Sequence, residues 1–305
     1  MEKIAHRKGI PFLILFVLSL TWGSSFILIK KGLIYYSDME VGALRIVIAF
    51  LFFIPVLSKH LRKIRRKHVP YLLIVGLIGS TAPAFLFAKA ETGIDSSLAG
   101  ILNSLTPLFT FIISFGLFKY EARWFNAAGL ALALAGAMGL IIVSGDGNIS
   151  FNFHYASFVI IATVCYAINV NVIKYKLTDL NNITIVTVGF FVACIPTMMY
   201  LLLFTPFVNT LSTPDALKGL GYIAILGVVG TSLALMIFYY LIKLKSTVFA
   251  SSVTYLIPVV AVLWGVIDGE TFRISYFLWI SLILYGIYLV NTKKLMMQRK
   301  SKKVS

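Results

Sequence analysis

Ten times along this 305-residue chain, about twenty consecutive residues are almost wholly apolar, and this recurrence restricts the fold more than any other feature. The runs fall at approximately 10–30, 39–58, 69–89, 96–118, 124–143, 154–174, 183–204, 217–242, 247–267 and 274–291. Each suffices, as a helix rising about 1.5 Å per residue, to cross a hydrocarbon core of about 30 Å. Hydrophobic residues make up 59%, charged residues 12%, and the mean hydropathy is +0.93. So few charges cannot cover a soluble protein of this size. The expected fold class is an all-α integral membrane protein with ten transmembrane helices. The first run follows Lys3, Arg7 and Lys8 as a signal peptide would, but it continues to Lys30 and Lys31 without a cleavage-like site and reads as a retained span.

The charges report direction. Of the 27 Lys and Arg residues, 21 fall at the termini and in alternate gaps, 5 fall in the other gaps, and Arg45 alone lies well inside a run. The positive-inside rule then puts both termini in the cytoplasm, in a multi-pass protein of the cell's inner membrane. The net charge of +16 does not point to nucleic acid, because the basic residues cluster at the ends of apolar runs and form no face. Cys165 and Cys194 lie apart in separate runs, and His6, His60, His68 and His154 lie in loops or at ends, so no metal or thiol-redox spacing exists. No phosphate-cradling glycine loop signals ATP hydrolysis.

The chain also repeats itself. A shift of 151 residues carries Gly76, Gly79, Ser80 and Phe87 onto Gly227, Gly230, Thr231 and Phe238, and Ala99, Leu105 and Pro107 onto Ala250, Leu256 and Pro258. A shift of 144 pairs Trp22 with Tyr166, Gly23 with Ala167 and Lys30 with Lys174. Five runs per half is an odd number, so the second copy enters the bilayer in the opposite sense. The expected organisation is two inverted repeats, 1–145 and 152–292, and a basic tail, 293–305. Inverted repeats around a midplane site recur in secondary transporters.

Three stretches carry a family resemblance: TWGSSFILIKKG in the first run, SSLAGILNSLTPLFTFIISFGLFKYE ending at Glu121, and STVFASSVTYLIPVVAVLWGVIDGE ending at Glu270. They resemble EamA-type members of the drug/metabolite transporter superfamily, over essentially the whole chain. The resemblance implies a ten-helix transporter of two inverted EamA-like five-helix units around a central cavity. Members commonly export amino acids or other small metabolites across the cytoplasmic membrane. The implied partners are a small-molecule substrate and the lipid bilayer, with no cofactor; a homodimer is left open.

The polar and small residues inside the runs are the candidate site. Gly23, Ser24 and Ser25 beside Trp22 fit either a helix lining the cavity at its narrow point or plain close packing, and Tyr166 at the mate of Trp22 favours lining. Asn103 and Thr254 each stand one turn before a proline, Pro107 and Pro258, whose missing donor frees a carbonyl. That arrangement makes a binding notch or hinge, or a kink satisfied by Ser104 or water. Pro83 repeats the theme in the third run without a mate. Asn169, aligned with Ser25, is the better cavity candidate of two, with Asn171 as interhelical glue; Tyr239 and Tyr240 read as an interfacial aromatic belt. The expected substrate-binding set is therefore Trp22, Ser25, Asn103, Tyr166, Asn169 and Thr254. Gly23, Pro83, Pro107, Pro258, Glu121 and Glu270 are expected at gates or hinges. Arg45, able to snorkel toward the outer surface, fits either a cation that attracts a carboxylate or phosphate or a structural one paired with a carbonyl at a helix end, and the structural reading is the one expected. The alternatives are a membrane enzyme, which lacks paired catalytic side chains in the runs, and an adaptor, whose short loops offer no docking domain.

Overall fold

The computed structural model describes residues 9–94, 96–118, 124–144, 152–260 and 274–291. The described residues are helical throughout, with turns between, and hold no strand. Six segments are long and apolar enough to span a bilayer on their own: Ile10–Gly32, Asp38–Leu61, Arg66–Ala90, Phe153–Lys176, Asn182–Phe204 and Ala216–Leu244. Shorter apolar helices account for the rest. Large apolar side chains such as Leu13, Phe16, Leu203, Phe204, Phe277 and Leu278 are exposed on the outside, which suits a surface solvated by lipid.

Local chemistry sets the helix starts, and it repeats. Ser37 opens the second segment with a capping box, its hydroxyl accepting from Glu40 N and its own N–H donating to Glu40 Oε2. Asn181, 144 residues on, opens the seventh in the same way by accepting from Thr184 N at 2.7 Å.

The inner segments are interrupted at matching places. The third turns π-helical over Ile74–Thr81 and the eighth over Val228–Leu233. In each, two hydroxyls take carbonyls five residues back: Ser80 to Val75 and Thr81 to Gly76, then Thr231 to Leu226 and Ser232 to Gly227. All eight residues are mates under the shift of 151. The fourth segment breaks between Ser96–Asn103 and Thr106–Phe118, and the ninth passes through a 3-10 stretch at Ser252–Leu256. Pro107 and Pro258 stand where the α-helix resumes, a position that needs no N–H donor. The carbonyls freed upstream find hydroxyls: Thr106 Oγ1 donates to Asn103 O at 2.7 Å, and Ser104 Oγ donates to Thr254 O at 3.2 Å, joining the two broken segments.

Glycines bring the halves together. A Cβ at Gly76 would lie 2.6 Å from Gly189 O and 3.1 Å from Val192; one at Gly227 would lie 2.9 Å from Ile48 and 3.2 Å from Arg45 O. Gly189 and Val192 are the mates of Arg45 and Ile48 under the shift of 144. The third segment therefore crosses the seventh as the eighth crosses the second, through one small-residue contact used twice. Gly136, Gly139 and Gly286 likewise seat the fifth segment against the tenth, around Trp279 and Ile283, away from the centre.

Candidate functional site

Between the repeats lies a partly open cavity of about 90 Å³. Trp22, Ser25, Asn103, Tyr166, Asn169 and Thr254 all line it. The first, third, fourth, sixth, eighth and ninth segments contribute, as does the second, through Arg45 and Ile46.

Its walls are built in equivalent pairs. Trp22 meets Phe238 edge to face, with ring centroids 5.0 Å apart, and their mates Tyr166 and Phe87 stack at 6.0 Å. A Cβ on Gly230 would lie 2.8 Å from Ser25 Oγ; one on Gly79 would collide with the amide of Asn169, the mate of Ser25. Each glycine thus admits a polar side chain of the other half against bare backbone. Trp22 Nε1 donates to Gly230 O at 3.0 Å, so its indole is fixed by the π-helix of the eighth segment. Ser25 Oγ returns its hydrogen to Thr21 O at 2.9 Å, beside the break at Ser24 that divides Ile10–Gly23 from Ser25–Gly32. Asn169 Nδ2 donates to Tyr239 Oη at 3.2 Å, while its buried Oδ1 has no partner and is turned onto Gly79.

Two sequence expectations change here. Arg45 does not snorkel to a helix end. It lines the cavity, and its Nε donates to Thr231 Oγ1 at 2.8 Å. Tyr239 is not in an interfacial belt: it is 1% exposed, packed beneath the cavity with its hydroxyl on Asn169. Asn171 does act between helices, accepting from Ser114 Oγ at 2.5 Å and donating to Thr110 O. Among the lining residues not anticipated, Ser80 and Thr231 were visible as repeat mates, and Thr106 as the neighbour of Pro107.

Of the hinge candidates, Gly23 is a tight contact: a Cβ there would lie 2.7 Å from Val260 of the ninth segment. Pro83 follows the π-helix of the third segment, in the first turn of Ala82–Ala90. Glu121 and Glu270 lie outside the described residues.

One end of the bundle is tied by reciprocal lysines. Lys174 Nζ donates to the carbonyls of Ile242, Lys243 and Lys245 at 2.8, 3.1 and 2.6 Å, and Lys243 Nζ donates to those of Leu177 and Leu180. Each ammonium thus caps the C-terminus of the other's helix, where carbonyls lack partners and the dipole is negative. At the same end Asp179 bridges Lys67 at 2.7 Å and His68 at 3.0 Å; these partners hold its carboxyl well below the usual carboxylate range. The opposite end carries Lys89 on Asp38 at 3.2 Å and Tyr36 Oη on Ala216 O at 3.0 Å.

A helical membrane protein whose two repeats enclose a cavity, with most of its wall residues answered by a mate, has the architecture of a transporter. Comparison with known proteins narrows the class. The EamA-like transporter family matches residues 9–142 and 154–292, and the chain belongs to that family and with it to the drug/metabolite transporter superfamily. It is 26% identical to the "Uncharacterized inner membrane transporter YedA" of Escherichia coli over 94% of this chain and 93% of that one. It is 30% identical to a "Probable amino-acid metabolite efflux pump" of Salmonella typhimurium over 45% of this chain and 44% of that one. A solved crystal structure shares the fold at a TM-score of 0.71 and 19% identity, covering 96% of this chain and 99% of that one. The protein is a multi-pass membrane transporter and not an enzyme.

Proposed function

We propose that the protein exports small organic metabolites, amino acids among them, across the cytoplasmic membrane by alternating access. The observation that carries this reading is the cavity whose ring pairs, glycine contacts and π-helices all recur between the two repeats. Rocking one repeat, 1–145, against the other, 152–292, exposes such a site to each side in turn. Trp22, Ser25, Asn103, Tyr166, Asn169 and Thr254 form the binding surface. Gly23, Pro83, Pro107 and Pro258 sit at the interruptions that flex, and Glu121 and Glu270 act at the gates. Both termini and the 293–305 tail face the cytoplasm, on the strength of the 21 to 5 charge count. The Salmonella relative, a probable amino-acid metabolite efflux pump, supports outward movement of amino-acid-like molecules.

The test compares metabolites inside and outside cells with and without the protein. Export predicts that at least one small organic metabolite is retained when the protein is absent and released when it is restored. Asn103→Ala and Trp22→Ala should abolish that release while the protein still reaches the membrane. A metabolite that accumulates inside only when the protein is present would reverse the direction.

A further inference from the structure

We infer that Arg45 anchors the carboxylate of the transported molecule, so that the cavity selects small organic acids bearing one anionic group on an apolar body. The inference rests on the transport reading above and names the substrate class of that cavity.

The guanidinium has five N–H donors in a planar fork. Only Nε is used, on Thr231 Oγ1 at 2.8 Å. That hydroxyl spends its own hydrogen on Leu226 O at 2.9 Å, so it presents a lone pair to Arg45 and sets the fork's orientation from the π-helix. The two terminal amino groups have no partner among the described residues, yet they are not among the buried unpaired atoms. They therefore keep surface open to the cavity that Arg45 lines, whereas the unpaired Oδ1 of Asn169 is closed against Gly79.

Among the described residues, no Asp, Glu or His lines the cavity. The carboxylate whose charge reaches Arg45 is that of Glu91, and none lies within ion-pair distance of it among the described residues. An unpaired cation inside a membrane protein is expensive and marks a substrate or ion path. The repeat shows that packing does not require it. Its mate is Gly189, which makes the equivalent helix crossing with no side chain at all. A planar fork matches a carboxylate bidentately. Around it stand Trp22, Phe87, Tyr166 and Phe238, walls for an apolar or aromatic body. An ammonium group would meet aromatic faces but no counter-charge.

The test uses the full-length protein in detergent and four probes at equal concentration: 4-methyl-2-oxopentanoate, leucine, 3-methylbutylamine and inorganic phosphate. The first three share one branched body and carry an anion, a zwitterion and a cation. The oxo acid should raise the melting temperature most, leucine less, and the amine and phosphate not at all. Arg45→Gln should weaken apparent affinity for the oxo acid at least tenfold, with Arg45→Lys, which keeps the charge but not the fork, in between. Thr231→Val should weaken it severalfold by releasing Nε, and it decides the matter if Arg45→Gln does not fold. Equal stabilisation by the amine, stabilisation by phosphate alone, an oxo-acid shift that survives Arg45→Gln, or no shift with any probe would overturn the inference. Flux in proteoliposomes separates it from the transport reading. Arg45-dependent stabilisation without flux would leave the anion site and remove transport; flux indifferent to Arg45→Gln would leave transport and remove the anion site.

Discussion

Three glycines give a graded test of the packing between the repeats. A Cβ at Gly76 would stand 2.6 Å from Gly189 O, a backbone atom that moves only with its helix. Ordinary contact begins near 3.4 Å, so Gly76→Ala asks the third and seventh segments to part by about 0.8 Å. A gap of that size forfeits roughly a quarter to a half of the dispersion energy of each contact across it. At Gly227 the overlap is smaller: Ile48 Cγ2 would lie at 2.9 Å, Ile48 Cβ at 3.0 Å and Arg45 O at 3.2 Å. At Gly221 nothing lies within 4 Å. Overpacking costs about 1–3 kcal/mol, so Gly76→Ala belongs near about 3 and Gly227→Ala near about 1. Gly221→Ala should be neutral or stabilising by up to about 1 kcal/mol, from helix propensity alone. Fluorescence-detected melting of the purified protein in detergent ranks the three variants against the parent. If Gly76→Ala melts with the parent, or if Gly221→Ala is the most damaging of the three, the close crossing is not what these glycines are for.

The lysine clasp should matter for conformation more than for folding: Lys174→Met and Lys243→Met each uncap several helix-end carbonyls, and a cysteine at Ser246 should then react faster with a thiol reagent in either variant than in the parent. Unchanged labelling would mean that this end is held shut by other contacts. The Asp179 carboxyl is depressed by Lys67 and His68, so its contribution is present above the unfolded value near about 3.9 and is lost as pH falls through the folded value. The melting difference between parent and Asp179→Asn should therefore be the same at pH 7 and pH 5 and shrink below about pH 4; a difference that vanishes between pH 7 and pH 5 would assign it to another group.

What could be read from the sequence was what hydropathy and register encode. Apolar runs report the solvent each segment faces, which is why the helical membrane fold and its repeat were legible. The two shifts mark positions that occupy equivalent places, and that is how six residues scattered from Trp22 to Thr254 were drawn to one cavity. Hydropathy does not say which face of a helix a residue occupies. Arg45 stands six residues from an apparent helix end and so read as a snorkelling cation, when it faces inward onto Thr231. A charge whose repeat mate is Gly189 was the available signal. The π-helices were written as GLIGST at 76–81 and GVVGTS at 227–232, a glycine pair followed by two hydroxyls. Their meaning lies in hydroxyl bonds to carbonyls five residues back, which no propensity scale describes. Tyr239 was misplaced because a tyrosine near a helix end is ordinarily interfacial; here the amide of Asn169 gives its hydroxyl a partner inside the protein.

The symmetry also says where conformational preference must come from. In an inverted repeat that rocks between two states, the halves exchange conformations, and a contact that both halves make at once does not distinguish one half from the other. Such contacts stabilise both states alike and set no preference, however strong they are. The ring pairs, the glycine crossings and the π-helical hydroxyls all belong to this neutral scaffold. Preference is left to residues without mates. Lys174 and Lys243 clasp one end, while their mates Lys30 and Thr92 form no such clasp at the other. Pro83 follows the π-helix of the third segment where its mate in the eighth is Ala234. Arg45 joins Thr231, where the mates are Gly189 and Ser80. These three are among the places where this chain differs from its own repeat, and each is a place where substrate or membrane can push the two states apart in energy.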